Sequence, residues 1–374
     1  MMLFMSIAIA LSLLYFFIQI FYLYNWLKTP VIVVPGHYIP SAGISVVVVA
    51  HNEENTIHSC IRDIVAQNYP VSLFEVIVVN DRSTDSTGDI VQKTGSNQVR
   101  LFNLTDHPEF IHAPAFKKSG ISLAVQHARH EWIVVTDADC TYRRDWLRTI
   151  SYAKESGDSV FIAAPIQLNS KNSFLEKMQQ MENLAFMVIT AAGIRSGLHV
   201  IANGANMAFS KRAFMEIKGF EGNYHYASGD DMFLIEKMKK HFPDQIIFLK
   251  SASAVVTTSP KSNWKSLITQ RIRWAGKNKG LQNPVINIIW GFVGLYSIAL
   301  VASLILPFIS NTSLMPFIIL FITKWILDFI IVQNAAFSFN HRPFEGNTIV
   351  LQFLYTFYVL RLGWNLLLGR KGDW

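Results

Sequence analysis

The chain opens with a run from Leu3 to Leu27 that carries no charged residue, and three more long apolar stretches lie near its end, Val285 to Ile309, Leu314 to Phe337 and Ile349 to Leu368. Roughly 20 apolar residues cross the hydrocarbon core of a bilayer, so each stretch is long enough to span. With 51% hydrophobic residues over 374 positions, part of this chain is expected in lipid. The first stretch lacks a basic leader and a small-residue cleavage site before Lys28, and it is too long for a signal peptide; it reads as an uncleaved anchor. Lys28 directly after it favours a cytoplasmic position for the adjoining domain. The expected division is an anchor over 1–28, a catalytic-sized domain over 29–282 and a membrane region of two or three spans over 283–374. The short, uncharged link 311–313 reads as external, and His341, Arg342 and Glu345 mark the next link as cytoplasmic. Arg361 interrupts the last stretch, and Arg370 with Lys371 come after it, so a spanning and a re-entrant placement both stay open. Lys324 and Asp328 lie one helical turn apart inside the third stretch, either as a self-neutralising pair or as a functional one.

Between the apolar ends the pattern alternates between short β-branched runs and stretches of helical period. ISVVVVA (44–50), EVIVVN (75–80), WIVVT (132–136) and VFIAA (160–164) read as strands, and Ile57, Ile61, Ile64 and Val65 mark a helix face. Such alternation implies an α/β fold with a parallel sheet and helices on its faces. Ligands of open α/β sheets bind beyond the carboxyl ends of strands. His51, Asn52, Glu53 and Glu54 come after the first strand, Asn80 and Asp81 after the second, and Asp137 with Asp139 after a later one. Turns and helix caps explain any one of these, but not acidic groups gathered along one sheet edge. Cys60 and Cys140 fall in a helix and at a strand end, which argues against a disulfide framework and fits a reducing compartment. The formal charge of +7 suits an anionic membrane surface and an anionic nucleotide. No dense basic and aromatic stripe points to nucleic acid.

Two carboxylates one residue apart in VTDADC (135–140) can share a hard divalent cation, Mg or Mn, that also binds a diphosphate. Asp81 can accept a hydrogen bond from a base edge, and Asp85 or Ser86 can cap the next helix. In SGDD, Ser228 and Asp231 fit a capping box before Leu234, Ile235 and Met238. In QRIRW, Gln270, Arg273 and Trp274 share one helix face while Arg271 points elsewhere. An arginine there can pair with phosphate, and the indole offers a flat platform for a sugar or a lipid headgroup. An interfacial helix with snorkelling arginines is the bland alternative. NGANMAF (203–209) offers Gly204 for close backbone approach and Asn206 for a sugar contact, or simply a turn into a strand.

AHNEENTI, NDRSTDST, FKKSGISLAVQHA, VTDADC, NGANMAF, SGDDMFLIEKM and QRIRWAGK succeed one another in this order. In that combination the chain resembles glycosyltransferase family 2, inverting enzymes of GT-A fold, from about Ile44 to Lys277. The Q-x-x-R-W signature makes it similar to membrane-bound polysaccharide synthases and to transferases of the ceramide glucosyltransferase type. The resemblance implies His51 and Glu53 at the nucleoside, Asp81 at the base, Lys117 near the diphosphate, Asp137 and Asp139 at sugar and metal, and Asp231 as the base, with Asp230 in support. Asn80-Asp81-Arg82 departs from the Asp-Asp-Gly of many members.

The function expected is inverting, metal-dependent transfer of a sugar from a UDP-type nucleotide diphosphate sugar to a lipid or lipid-linked acceptor at the cytoplasmic membrane face, with a lipid or glycan acceptor and the membrane as partners, in an integral protein of the cell (inner) membrane. A processive polysaccharide synthase is the alternative, although three or four spans look sparse for lining a channel. A catalytically silent membrane scaffold is a third, against which the intact Asp81, Asp137, Asp139, Asp231 and QRIRW stand.

Overall fold

A computed structural model describes residues 2–111, 116–169, 173–226, 228–277, 280, 283–310, 312–342, 344 and 348–369. Its strands are β1 Ile44–Ala50, β2 Phe74–Asn80, β3 Val99–Asn103, β4 Trp132–Asp137, β5 Thr141–Tyr142, β6 Phe161–Ala163, β7 Ile166–Leu168, β8 Met207–Ser210, β9 Ile246–Phe248 and β10 Val256–Thr258. Its helices are α1 Met2–Lys28, α2 Ile57–Val65, α3 Thr87–Gln92, α4 Pro108–Ile111, α5 Phe116–His127, α6 Trp146–Glu155, α7 Phe174–Ser196, α8 Lys211–Glu216, α9 Asp230–His241, α10 Trp264–Lys277, α11 Val285–Ser310, α12 Met315–Ser338 and α13 Thr348–Leu367. By packing, these elements fall into two units, one of residues 29–169 and 200–259, the other of 1–28, 170–199 and 260–374. Residues 173–199 and 260–277, expected within the catalytic domain, thus fall in the same unit as the apolar helices.

The first unit is built on a seven-stranded sheet of order β3-β2-β1-β4-β8-β6-β9. Its central strands form because β1, β2 and β4 are β-branched runs buried on both faces, as parallel strands under helices are. The expected parallel sheet is in fact mixed: β1 runs parallel to β2 and β4, whereas β8 is antiparallel to both β4 and β6. Val46, Val48, Val76 and Val78 pack with Ile57, Ile61 and Ile64 of α2 and with Trp146 and Leu147 of α6 in one core. That arrangement uses the helix face legible in the sequence.

Register then decides what meets at the sheet edge. Ala50 lies opposite Asn80, and Val49 opposite Asp137. The residues after β1 and β2 therefore emerge level with the end of β4. Val135 pairs with Met207 across the antiparallel β4–β8 ladder, so the turn before β8, with Gly204, comes to that same edge. A second sheet of order β5-β10-β7 pairs Thr257 with Thr141.

In the second unit, α1, α11 and α12 are long and apolar enough to cross a membrane, the three such helices among the described residues. The fourth apolar stretch forms α13 and is not among them. Tyr15 of α1, Tyr296 and Leu300 of α11, and Leu320 and Leu327 of α12 share one apolar cluster. Lys324 and Asp328 pair with each other, and the pair is not left to itself: Asp328 also accepts from Tyr15, from Gln19 at 3.1 Å and from Gln352 of α13 at 3.1 Å. Residues of three helices are thereby tied to one charge pair, Lys324 buried and Asp328 half-buried, which satisfies its polar groups within the helix cluster.

Candidate active site

Three loops meet at the edge set up by the β1–β2–β4 register. After β1, the ring of His51 lies 2.6 Å from the carbonyl oxygen of Asp81 through Nδ1. Asn52 takes a left-handed φ of 56°, where its side-chain oxygen accepts from the Thr84 amide at 2.8 Å. The Glu53 amide donates to Thr87 Oγ1 at 2.8 Å. The loops after β1 and β2 are thus laced together, and Asp81 is buried between them, its amide donating to the Ala50 carbonyl at 2.8 Å. Its Oδ1 accepts from Nε and Nη2 of Arg82 at 2.9 and 2.8 Å. The Arg82 that departs from the family pattern therefore supplies the counter-ion of Asp81. Asp85 performs the capping expected of Asp85 or Ser86, accepting from the Thr87 amide at 3.0 Å; Ser86, the N-cap residue, makes no side-chain cap bond.

At the end of β4, Asp137 Oδ1 accepts from Lys117 Nζ of α5 at 2.5 Å. The same ammonium stands 3.4 Å from Asp230 Oδ2. Burial alone would lower the Lys117 pKa, but Asp137, Asp230 and Asp231 outweigh it and hold the group charged. Gly204 faces this pair closely: a Cβ there would lie 2.7 Å from Asp230 Oδ2 and 2.9 Å from Lys117 Nζ, so the position accommodates glycine. The Gly204 amide points to Asp231 Oδ2 at 3.3 Å, and Asp231 Oδ1 accepts from the Met232 amide at 2.8 Å. Lys117, Asp137, Gly204, Asp230 and Asp231 are therefore one constellation, contributed by α5, β4, the turn before β8 and the start of α9.

Asp139 is exposed, its Oδ2 accepting from Thr258 Oγ1 of β10 at 3.1 Å. Burial, and beyond it the negative charges of Asp139, Asp137 and Asp85, holds the Glu53 carboxyl above the usual range against a hydrogen bond from Thr56. This edge carries a surplus of negative charge on oxygen ligands, and Asp137 keeps its side chain 40% exposed. Such a donor set fits a hard divalent cation. Both cysteines are free and buried, and burial pushes the Cys60 thiol up to about 12, so it is no nucleophile.

Two expectations are corrected here. Asn206 is fully buried: its amide donates to the carbonyls of Pro165 at 2.7 Å and Ala254 at 2.9 Å, and its oxygen accepts from Trp146 Nε1 at 3.0 Å. It braces the turn before β8 and faces no sugar. The Ser228 capping box is absent, because Gly229, at φ 90°, is the N-cap of α9 and no side chain caps it. Ser228 instead offers its carbonyl to Lys118 Nζ at 3.0 Å.

In the second unit, α10 carries the signature residues. Arg271 is buried, and its guanidinium bonds Glu182 of α7 through Nε at 3.1 Å and Nη2 at 2.5 Å. Glu182 also accepts from the Tyr358 hydroxyl of α13 at 3.1 Å. Arg271 does not point away from the signature face: its Nη1 donates to Gln270 Oε1 at 2.7 Å, and its Cζ lies 4.1 Å from the centre of the Trp274 ring. Burial would lower its pKa, but Glu182 raises it. Arg271 thus sets the positions of Gln270 and Trp274 and leaves Trp274 exposed. Sequence reasoning misses Glu182, Thr258 and Lys118. The first two lie 89 and 119 positions from their partners, and no local pattern announces such a pairing.

The model of glycosyl transferase family 2 matches residues 45–218, and that of glycosyl transferase family group 2 matches residues 132–340, more than half of the chain. The chain belongs to glycosyl transferase family group 2. The chain is 23% identical over 242 residues to a probable glycosyltransferase of Bacillus subtilis, covering 63% of this chain and 55% of that protein. It is 21% identical over 239 residues to poly-β-1,6-N-acetyl-D-glucosamine synthase of Staphylococcus epidermidis, covering 62% and 54%. It is 25% identical over 189 residues to 4,4'-diaponeurosporenoate glycosyltransferase of Staphylococcus aureus, covering 50% and 46%. The matches span about half the length of these relatives. Among solved structures, a mannosyltransferase of Pyrobaculum calidifontis in complex with GDP-Man and Mn2+ aligns with a TM-score of 0.61 at 19% identity, over 98% of this chain and 100% of that one. The fold of the chain is accordingly GT-A-like, with a mixed α/β sheet, and three of its helices are candidate membrane spans.

Proposed function

We propose that this glycosyltransferase moves a sugar, with inversion, from a nucleoside diphosphate sugar to a hydroxyl of a lipid or lipid-linked acceptor at a membrane surface. The observation that carries the reading is the Lys117–Asp137–Asp230 group with Asp231 held beside Gly204. A fixed cation next to an acidic strand end suits a diphosphate, and a carboxylate aligned by two backbone amides suits proton removal.

In this reading His51, Glu53 and Asp81 take the nucleoside, and Lys117 faces the diphosphate. Asp231 takes the proton of the acceptor hydroxyl as that oxygen attacks the anomeric carbon. The bond from that carbon to the diphosphate oxygen breaks, and its electron pair leaves with the nucleoside diphosphate. Asp137 and Asp139 would hold a divalent cation, Mg or Mn, which supplies positive charge for the leaving diphosphate. Support for the donor class comes from the Pyrobaculum neighbour, solved with GDP-Man and Mn2+. In the second unit, Gln270, Arg273 and Trp274 offer a face for a phosphate or an acceptor headgroup, and Arg271, committed to Glu182, serves by holding Gln270 and Trp274 in place. The three apolar helices support an integral membrane protein, and Lys28 after the first supports a catalytic unit on the cytoplasmic side of the cell membrane.

The test is to incubate the full chain, purified in detergent, with single nucleotide sugars, Mn2+ and a membrane lipid extract, and to weigh the products. One new lipid heavier by a single sugar is the expected result. A ladder of sugar additions would replace this reading with the polymer synthase, and donor binding without any product would contradict transfer.

A further inference from the structure

We propose that Lys118 is a positioning residue that holds Asp231 in its working place; the inference rests on Asp231 acting as the base. Lys117 and Lys118 are neighbours on α5, and adjacent helical residues point about 100° apart, so they cannot reach the same target. Lys117 turns to Asp137 and Asp230. Lys118 is 1% exposed, and its ammonium donates to three carbonyl oxygens, of Asn223 at 2.9 Å, Tyr226 at 2.7 Å and Ser228 at 3.0 Å. It also stands over the Phe233 ring at 4.8 Å and the Tyr226 ring at 6.0 Å.

Burying an ammonium is costly unless every donor is satisfied, and here three carbonyls and two aromatic faces do so. The place is also electrostatically awkward, since a cation next to a helix N-terminus opposes the helix dipole. What Lys118 gains there is control of the backbone. Ser228 precedes Gly229, whose φ of 90° turns the chain into α9, and Asp230 and Asp231 come at once after it. One lysine therefore pins the carbonyl before the turn, while its neighbour stands by the carboxylate after it. Asp231, at a helix start with no side-chain cap, takes its position from these two points. Loss of Lys118 frees the turn and moves Asp231, whereas the nucleotide site at β1 and β2 keeps all its contacts.

Lys118→Met is expected to lower kcat about 100-fold, the scale of a small misplacement of a catalytic group, with donor KM unchanged. The readout that separates positioning from bulk stability is the cycle with Asp231→Asn. If Lys118 acts through Asp231, the double variant is no slower than Asp231→Asn alone. If Lys118→Met does not fold, Lys118→Arg keeps the charge with altered geometry and is expected to show the same split, with reduced kcat and unchanged donor KM. A full rate in a folded Lys118 variant, or losses that multiply in the double variant, overturns the role of Lys118 alone. A near-normal rate in Asp231→Asn by itself overturns the base assignment and this inference with it.

Discussion

Asp231→Asn is expected to remove transfer by a factor of roughly 10²–10⁴, the usual contribution of a positioned base, while the nucleotide still binds as it does to the parent enzyme. The substitution is nearly isosteric. Its amide oxygen can still accept from the Met232 amide, the 2.8 Å bond that starts α9, while the charge and the longer contact from Gly204 at 3.3 Å are lost. The residues proposed for the nucleoside, His51, Glu53 and Asp81, are held by a separate lacing of the β1 and β2 loops. The change thus falls on proton removal and not on the fold. Steady-state transfer rates beside a nucleotide titration on the same sample check it; a rate within tenfold of the parent would remove Asp231 from its role.

The second large effect is expected at Asp139. Without metal, burial first and then the negative charges of Asp139 and Asp137 hold the Glu53 carboxyl raised, so Asp139→Ala relieves repulsion at the cost of one exposed hydrogen bond from Thr258 and should leave the metal-free protein about as stable as the parent. With Mn2+ and a nucleoside diphosphate present the two proteins differ. The parent should gain stability by binding, since a ligand that binds only the folded state raises Tm. The variant should gain little, with metal-dependent donor affinity down on the order of 100-fold. Thermal melts with and without Mn2+ give both halves, and an equal Mn2+-dependent rise in the two proteins would sink the assignment of Asp139 to the cation.

How much of the fold and site is legible in the sequence depends on how far apart the partners lie along it. The β-branched runs at 44–50, 75–80 and 132–136 announce β1, β2 and β4, because strands buried on both faces need little beyond apolar bulk. Alternation with helices then places His51, Asp81 and Asp137 at one edge, as the register has it. The strand at NGANMAF is one of two readings of that motif, and the antiparallel direction of β8 escapes notice, since four residues carry no sign of direction. The long α7 escapes the reading by period although its ends are marked: Ser173 and Glu176 form a capping box, and Gly197 closes it at φ 71°. Asn206 misleads because an asparagine at a turn looks the same whether it faces a sugar or the Pro165 and Ala254 carbonyls. Arg271 misleads because helical spacing separates its Cβ from the signature face, while its long side chain reaches back over Trp274. Ser228 meets the spacing of a capping box, yet Gly229 takes the cap. In each of these three cases a short local pattern has two physical readings, and only the folded chain chooses between them.

Direct displacement assisted by Asp231 is tested most squarely by the anomeric configuration of the first product. Proton NMR of the transferred sugar, from a donor of known α configuration, reads the coupling constant of the anomeric proton. A β-linked product is the predicted result. An α-linked product would mean that the bond forms on the face the nucleotide left, which a single displacement with Asp231 as base does not allow.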